Sequence, residues 1–150
     1  MYACPCGSQQ SFSACCERFI NAEQIPKTPE QLMRSRYSAF ATQNEAYLRK
    51  TWYPSTRPDD LSLPTDQEQR WLRLVVHESQ QQTNQGRVRF TAYSVQGKKA
   101  FILSEDSLFL REDGLWLYHS GTCQVEEYPI SRNQACLCGS KLKFKRCCLA

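Results

Sequence analysis

One cysteine pattern occurs twice in this chain, once near each end, and it constrains the fold more than any other feature. Both copies have the form C-x-C-G-S-x3-F-x2-C-C, and together they contain eight of the nine cysteines. The two sets are Cys4, Cys6, Cys15 and Cys16, and Cys136, Cys138, Cys147 and Cys148. Four thiols at short spacing are the ligand set of a closed, tetrahedral structural zinc site. The pattern therefore predicts two zinc ions, one near each end of the chain.

Disulfide bonds and iron–sulfur clusters are the alternatives to zinc. The first residues lack the basic and apolar regions of a secretion signal, and no stretch is long enough to span a membrane. We therefore expect a cytoplasmic protein, and in that compartment cysteine clusters bind metals or perform redox chemistry more often than they form disulfides. The spacing matches no ferredoxin pattern. Zinc is the favoured interpretation, and disulfide or thiol redox chemistry stays open.

The residues between the cysteines suit a metal site. Gly7 and Gly139 allow the positive φ of a tight turn, which directs backbone N–H groups at the thiolates. Ser8 and Ser140 are expected to cap the short segment that leads to the second cysteine pair. Four sulfur ligands leave no open coordination position, so both zinc ions are predicted to be structural rather than catalytic.

The cysteine motif resembles the SEC-C motif, which also occurs in the C-terminal tail of the bacterial preprotein translocase motor. Two SEC-C motifs around one central domain resemble the YchJ-like family of uncharacterised bacterial proteins, as do residues 34–40 and 114–118. The resemblance implies a SEC-C zinc knuckle at 1–20, a nuclear-transport-factor-2-like domain at 21–130 and a second SEC-C knuckle at 131–150.

Capping signals predict the helices of the middle segment. Thr28-Pro29-Glu30-Gln31 is a capping box with proline at the first helical position. Asn44 is expected to cap a second short helix that extends to Trp52. A second capping box at residues 65–68 predicts a further helical segment that includes Trp71.

The remainder of the middle segment predicts antiparallel strands. Stretches rich in β-branched and aromatic residues lie at 74–78, 87–95, 99–111 and 115–125. Asp113-Gly114, between the last two, is a hairpin signal. Helices followed by a meander indicate the α+β class, and the curved, cone-shaped sheet is implied by the resemblance.

Few residues of the middle segment indicate catalysis. His77 and His119 are the only histidines, and neither has a positioned partner in the sequence. Glu105 and Asp106 are adjacent on a predicted strand and so point to opposite faces. A histidine usually precedes this glutamate in the YchJ-like pattern, but Ser104 stands here. Cys123, the odd cysteine, is expected to be a small buried hydrophobe.

We therefore assign no catalytic residue, and a small-molecule or enzymatic role for a central pocket is the alternative function. A set of aromatic residues and one carboxylate would line such a pocket, although such aromatics are more often plain core. The candidates are Tyr37, Trp52, Glu105 and Trp116.

Basic charge is concentrated in the last twenty residues. Residues 131–150 contain five basic residues and no acidic one, whereas residues 21–130 contain 13 basic and 14 acidic residues. The favoured function is therefore a non-catalytic interaction or adaptor module, whose C-terminal knuckle contacts an acidic protein surface or ribosomal RNA. The proposed contact residues are Lys141, Lys143, Lys145 and Arg146.

Overall fold

Three helices precede a four-stranded antiparallel sheet in a computed structural model, which describes residues 2–65 and 67–149. The helices are α1 (Glu17–Ile20), α2 (Pro29–Ala41) and α3 (Glu45–Lys50), and a 3-10 turn spans Phe144–Arg146. The strands are β1 (Arg70–Gln81), β2 (Gln85–Gln96), β3 (Lys99–Glu112) and β4 (Leu115–Tyr128). Strands that are consecutive in the sequence are also adjacent in the sheet. The predicted α+β order is confirmed.

The two main helices begin where their capping residues predict. The Thr28 hydroxyl accepts a hydrogen bond from the Gln31 backbone N–H, and the Asn44 side chain accepts one from the Tyr47 N–H. Helix α3 ends at Lys50, so the prediction that it reaches Trp52 is wrong. The reason is strand pairing, because the Tyr118 N–H donates to the Thr51 carbonyl at 2.8 Å, in competition with continued helix.

The second capping box forms its hydrogen bonds without starting a helix. The Glu68 N–H donates to the Thr65 hydroxyl at 3.3 Å, and the Thr65 N–H donates to the Glu68 carboxylate at 3.0 Å. Asp66, in the same box, lies outside the described residues. The helical segment predicted to include Trp71 is wrong, because β1 pairs with β2 from Arg70 onward and its backbone groups are used in the sheet.

The sheet is a meander with tight turns and local bulges. Asp113 and Gly114 both have positive φ, at 52° and 79°, as the predicted two-residue hairpin turn requires. Register shifts interrupt the β1–β2 pairing twice and the β3–β4 pairing once. Bulges of this kind bend strands, and α2 packs against the sheet.

The core joins the N-terminal cysteines to the middle domain. Leu32, Met33 and Tyr37 of α2 lie in one buried cluster with Phe90 and Phe109 of the sheet. Cys4, Cys6, Phe12, Cys15 and Cys16 belong to that same cluster. The N-terminal knuckle is therefore part of the main hydrophobic core. Among the described residues, no helix has the length and apolar character needed to cross a membrane.

Candidate metal centres and central cavity

The first cysteine set forms a compact group of four buried thiols. The Sγ atoms of Cys4, Cys6, Cys15 and Cys16 all lie within 4.8 Å of one another. The turn after Cys6 depends on Gly7, whose φ is 82° and whose N–H donates to the Cys4 carbonyl at 3.2 Å. Because thiolates repel one another unless a cation lies between them, this arrangement fits a metal ion with four sulfur ligands.

A serine hydroxyl supports the thiols from outside the ligand set. The Ser8 Oγ lies 3.1 Å from the Cys15 Sγ and also accepts a hydrogen bond from the Gln10 N–H. The bond from Gln10 caps the segment that leads to the second cysteine pair, as predicted, although helix α1 itself begins at Glu17 without a side-chain cap. Ser8 also contacts a ligand, as partners that orient metal ligands do.

Two thiols of the first cluster have pKa values that are shifted in opposite directions. Hydrogen bonds from Cys16 and Cys4 place the pKa of Cys6 far below the ordinary thiol value. Hydrogen bonds to Cys4 and Cys6, together with burial, raise the pKa of Cys16 far above it. One thiolate is thus stabilised at the expense of its neighbours, and a divalent cation is what would let all four act as ligands.

Helix α2 holds the first cluster in place. The Arg34 guanidinium donates from Nη1 to the Cys6 carbonyl at 2.9 Å, and the Ser38 Oγ lies 3.5 Å from the Cys4 Sγ. These residues lie one helical turn apart, so they project from the same side of α2. Arg34 also places positive charge beside the thiolates.

The second cysteine set has the same local structure. Its four Sγ atoms also lie within 4.8 Å of one another, and the Ser140 Oγ lies 3.2 Å from the Cys147 Sγ. Gly139 has a φ of 87°. Burial raises the pKa of Cys138, but hydrogen bonds from Ser140 and Cys147 outweigh it and lower that pKa to about 7.

Backbone hydrogen bonds repeat between the knuckles at equivalent positions. The Cys4 N–H donates to the Gln10 carbonyl at 2.8 Å, and the Cys136 N–H donates to the Leu142 carbonyl at 2.7 Å. The residues before these acceptors, Gln9 and Lys141, both have a φ of 68°. The repeated motif therefore encodes one backbone path. At one position this path has a left-handed conformation, which residues other than glycine seldom adopt.

The two clusters differ in their surroundings. All four cysteines are buried in the first, whereas only Cys136 is buried in the second and the other three are half-buried. The second cluster docks on the edge strand β1, where Arg70 donates from Nη2 to the Cys148 carbonyl at 2.5 Å. Arg73 lies beside Gly139, since a Cβ added there would be 3.7 Å from the Arg73 side chain.

The basic side chains of the C-terminal knuckle mostly face solvent. Lys141, Lys143 and Arg146 are exposed and Lys145 is half-buried. Within residues 2–65 and 67–149, none of them has an ion-pair partner. Arg70 and Arg73 of β1 extend this basic surface. The sequence did not predict their contribution, because both residues lie far from the cysteine motif along the chain.

A cavity of about 240 Å³ lies between α2 and the sheet. Three of the four predicted pocket residues, Tyr37, Trp52 and Glu105, line it. Trp116 does not line it; its Nε1 donates to the Lys27 carbonyl at 3.2 Å, and it borders a separate surface depression. The remaining lining residues are Met33, Arg36, Phe40, Trp71, Phe90, Ala92, Leu103 and Tyr118.

Arg36 is a buried cation in the wall of this cavity. Its Nη1 donates to the Leu48 carbonyl at 3.0 Å and to the Thr51 hydroxyl at 2.7 Å. Its guanidinium carbon lies 4.9 Å and 4.7 Å from the ring centres of Trp52 and Tyr118. Burial lowers the pKa of Arg36 to about 10, so the side chain stays charged at neutral pH. An arginine on an amphipathic helix is normally expected to be exposed to solvent. The sequence therefore gave no indication that Arg36 lines a cavity.

Glu105 is the acidic group of the cavity. The Ser107 hydroxyl donates to its Oε2, and the Tyr118 hydroxyl lies 3.4 Å from the same oxygen. Burial, with the Glu105 charge second, raises the pKa of Tyr118 well above its ordinary value, so the phenol stays protonated. Asp106 faces away and pairs with Arg87 at 3.5 Å, as the alternation of strand side chains predicts.

Known proteins resemble this chain along nearly all of its length. A family model described as the YchJ middle NTF2-like domain matches residues 28–121, and a SEC-C motif model matches residues 132–150. A UPF0225 protein of Enterobacter sp. (strain 638) is 39% identical over 150 residues, which cover 97% of this chain and 96% of that protein. The chain belongs to the YchJ family. A second family member, a UPF0225 protein of Vibrio parahaemolyticus serotype O3:K6 (strain RIMD 2210633), is 37% identical over 97% of this chain and 98% of its own length.

Two solved structures share this YchJ-family fold. The solution structure of RPA3114, a SEC-C motif containing protein from Rhodopseudomonas palustris, superposes with a TM-score of 0.74 at 29% identity and covers 81% of this chain and 98% of its own. The crystal structure of a SEC-C motif containing protein from Psychrobacter arcticus superposes with a TM-score of 0.68 at 26% identity, over 99% and 96% of the two chains. The expected NTF2-like fold and SEC-C motif are confirmed.

The remaining chemically reactive residues of this YchJ-family chain lie outside both clusters and the cavity. His77 Nε2 lies 2.7 Å from the Thr91 hydroxyl, and His119 Nδ1 lies 2.9 Å from the Ser120 hydroxyl, so both histidines are locally bonded. Cys123 is exposed, and the expectation that it is buried is wrong. It lies on the edge strand β4, where it pairs with Glu105 of β3.

Proposed function

We propose that this protein holds one structural zinc ion in each cysteine cluster and uses its C-terminal knuckle, residues 131–150, to bind an acidic partner. The observation that carries the proposal is the contrast between two equivalent knuckles. One is buried in the core, while the other presents exposed Lys141, Lys143 and Arg146 on a solvent-facing turn.

The donor set supports zinc in preference to harder cations. Each cluster offers four sulfur atoms and no oxygen ligand, and thiolates favour zinc, copper(I) or iron–sulfur chemistry. Short C-x-C and C-C spacing around a glycine turn favours a single tetrahedral ion. When bound, the ion neutralises the thiolates and links the two ends of each knuckle, which adds folding free energy.

Charge favours an anionic partner for one knuckle only. A zinc ion with four thiolates carries a net charge of about −2. The C-terminal knuckle would then keep a charge of about +3, because it contains five basic residues and no acidic one. The N-terminal knuckle would be near −2, because Arg18 and Glu17 cancel. Only the C-terminal knuckle would attract an acidic protein surface or the ribosome.

A groove beside the C-terminal knuckle would contribute to partner binding together with the basic charge. It is lined where the knuckle meets the sheet by Arg73, Tyr93, Tyr128 and Leu137, among others. Arginine and tyrosine are enriched at protein interfaces because each combines a flat contact area with hydrogen-bonding groups. The basic turn and this groove together would make one continuous binding surface.

The test is a pair of charge-reversal variants with the same change in net charge. Lys141→Glu/Lys143→Glu/Arg146→Glu alters the proposed surface, and Lys27→Glu/Lys50→Glu/Lys98→Glu alters three exposed lysines elsewhere. Affinity for purified ribosomes, and separately for an acidic protein fraction, is measured between about 50 and 200 mM salt. We expect the first variant alone to lose binding by about ten-fold or more, with a shallower salt dependence.

Zinc content and thermal unfolding serve as the folding controls for both variants. Equal loss of binding in the two variants would show a general charge effect and contradict a surface on the C-terminal knuckle. Retention of binding by the first variant would contradict it as well. Loss of binding to ribosomes but not to the acidic proteins, or the reverse, identifies the partner class.

A further inference from the structure

We propose that the central cavity binds a small, neutral, planar molecule that carries a hydrogen-bond donor and an acceptor on one edge, as a lactam or heteroaromatic amide does. The cavity volume of about 240 Å³ equals that of about eight water molecules at about 30 Å³ each. Several lining residues, including Phe40, Trp71 and Leu103, are only half-buried, so the cavity opens to solvent.

The walls of the cavity favour a flat apolar body. Aromatic rings from α2, β1 and β2 dominate them, and the Tyr37 and Trp71 rings meet edge to face with centroids 6.0 Å apart. Phe40 meets the same Trp71 ring at 6.3 Å. Aromatic walls with few polar groups are typical of sites for small organic ligands, and ring faces gain from stacking.

Arg36 supplies hydrogen-bond donors to the cavity. Among residues 2–65 and 67–149, the hydrogen bonds of this buried guanidinium use only Nη1, so its other N–H groups are free to donate. Trp52 Nε1 also has no partner in that part of the chain, but it has practically no accessible surface, so a ligand atom cannot reach it. Buried donors are normally paired, and a ligand acceptor placed beside Arg36 would pair one of its N–H groups.

Glu105 supplies the complementary acceptor of the cavity. The Tyr118 ring lies 4.7 Å from the Arg36 guanidinium carbon and its hydroxyl reaches Glu105 Oε2, so Arg36 and Glu105 both border Tyr118. The described hydrogen bonds of Glu105 use Oε2 and leave Oε1 to accept from a ligand. Gly121 makes room for this carboxylate, since a Cβ there would lie 2.5 Å from Oε2.

The charges of the cavity favour a neutral ligand. Arg36 and Glu105 carry opposite charges. Within residues 2–65 and 67–149, the other ionisable groups that line the cavity are the protonated phenols of Tyr37 and Tyr118. A ligand anion would face Glu105, and a ligand cation would face Arg36, at short range in a partly desolvated site. A molecule with one donor and one acceptor pairs with both groups without adding a charge.

Three probes with the same bicyclic frame test the charge preference on the zinc-loaded full chain. They are 2-quinolone, which is a neutral lactam, 2-naphthoate, which is an anion, and N-methylquinolinium, which is a cation. Binding is followed by titration calorimetry and by ligand-observed NMR. We expect saturable binding of 2-quinolone and at least about ten-fold weaker binding of both ions. Equal or tighter binding of either ion, or no saturable binding of 2-quinolone, would overturn the proposal.

Two variants with one matched control test the assigned groups. Arg36→Lys keeps the positive charge but removes the guanidinium N–H groups, and should weaken 2-quinolone binding by about ten-fold. Arg49→Lys makes the same change on α3, outside the cavity, and should leave the affinity unchanged, with thermal unfolding as the folding control for both variants. Glu105→Gln removes the negative charge with little change in shape, and should raise the affinity for 2-naphthoate relative to 2-quinolone. Equal effects of the two arginine variants, or an unchanged probe preference in Glu105→Gln, would contradict the assignment.

Discussion

The two knuckles share one local structure but have different relations to the rest of the molecule. Their turns, serine contacts and backbone hydrogen bonds correspond position by position. The N-terminal thiols nevertheless lie in the main core against α2, whereas the C-terminal thiols are half-buried on the edge strand β1. A short motif can thus determine the local geometry of a four-thiol cluster, while the surface on which the cluster docks determines how exposed it is.

The contact with α2 also connects the first knuckle to the cavity. Arg34 and Ser38 of α2 touch the knuckle, while Arg36 and Tyr37, between them in sequence, line the cavity. A helix that is held on one side by a cysteine cluster presents its other side in a defined orientation. The C-terminal knuckle instead contacts Arg70 and Arg73 of β1, and neither of these arginines lines the cavity.

The largest expected difference between the knuckles is in global stability. Cys6→Ser should lower the free energy of unfolding by about 3 kcal/mol or more, because it disrupts a metal site inside the shared core. Cys138→Ser should lower it by less than about 1 kcal/mol, because the C-terminal knuckle can unfold locally. Chemical denaturation with zinc quantification on both variants measures this, and equal destabilisation would show that the two knuckles are energetically equivalent.

A second difference is expected in the rates of metal release and thiol alkylation. Under a chelator, the half-buried second cluster should lose its metal first, and its thiols should be alkylated at least about ten-fold faster than those of the first cluster. In metal-free protein, the Cys138 thiol with its pKa of about 7 should react faster as pH rises through that value, because the thiolate is the nucleophile. Mass spectrometry of alkylated peptides assigns the order, with exposed Cys123 as the internal reference. Faster alkylation of Cys4 or Cys6 would reverse the comparison.

The smallest expected difference comes from one arginine at each docking surface. Arg34 donates to the Cys6 carbonyl and Arg70 to the Cys148 carbonyl, so the same change to methionine removes an equivalent contact. Arg34→Met should cost about 1–2 kcal/mol of stability, because Arg34 is largely buried beside the thiolates. Arg70→Met should cost less than about 0.5 kcal/mol, because Arg70 is exposed, and should speed amide exchange only in residues 136–149. A global effect of Arg70→Met would mean that the second knuckle also supports the core.

Local signals were reliable wherever the structure depends on neighbouring residues. The capping residues Thr28 and Asn44 begin their helices, and Asp113-Gly114 forms its two-residue turn. The capping box at residues 65–68 did not predict a helix correctly. The backbone that follows it is stabilised more by pairing along the full length of β1 than it would be by a helix. Each strand is also longer than the alternation of its side chains predicts, since backbone pairing continues past the buried region.

The cavity was only partly predictable, because it is lined by residues that are far apart in the sequence. Aromatic residues indicated a pocket or a core without distinguishing them, and Trp116 proved to lie outside the cavity that Tyr37 and Trp52 line. Arg36 gave no signal, because a charged residue on a helix is normally exposed. Its burial depends on Trp52, which follows α3, and on Tyr118 of β4, whose ring centres lie 4.9 Å and 4.7 Å from its guanidinium carbon.

Cysteine spacing, glycine position and the count of basic residues were enough to predict two four-thiol sites and a basic C-terminal end, because each property is carried by residues a few positions apart. Contacts between distant segments determined how these parts are arranged. They buried one cysteine cluster in the core and left the other at the surface, added Arg70 and Arg73 to the basic face, and placed Arg36 and Glu105 in one cavity. Packing of this kind follows from the burial of whole faces, and no short stretch of sequence contains it.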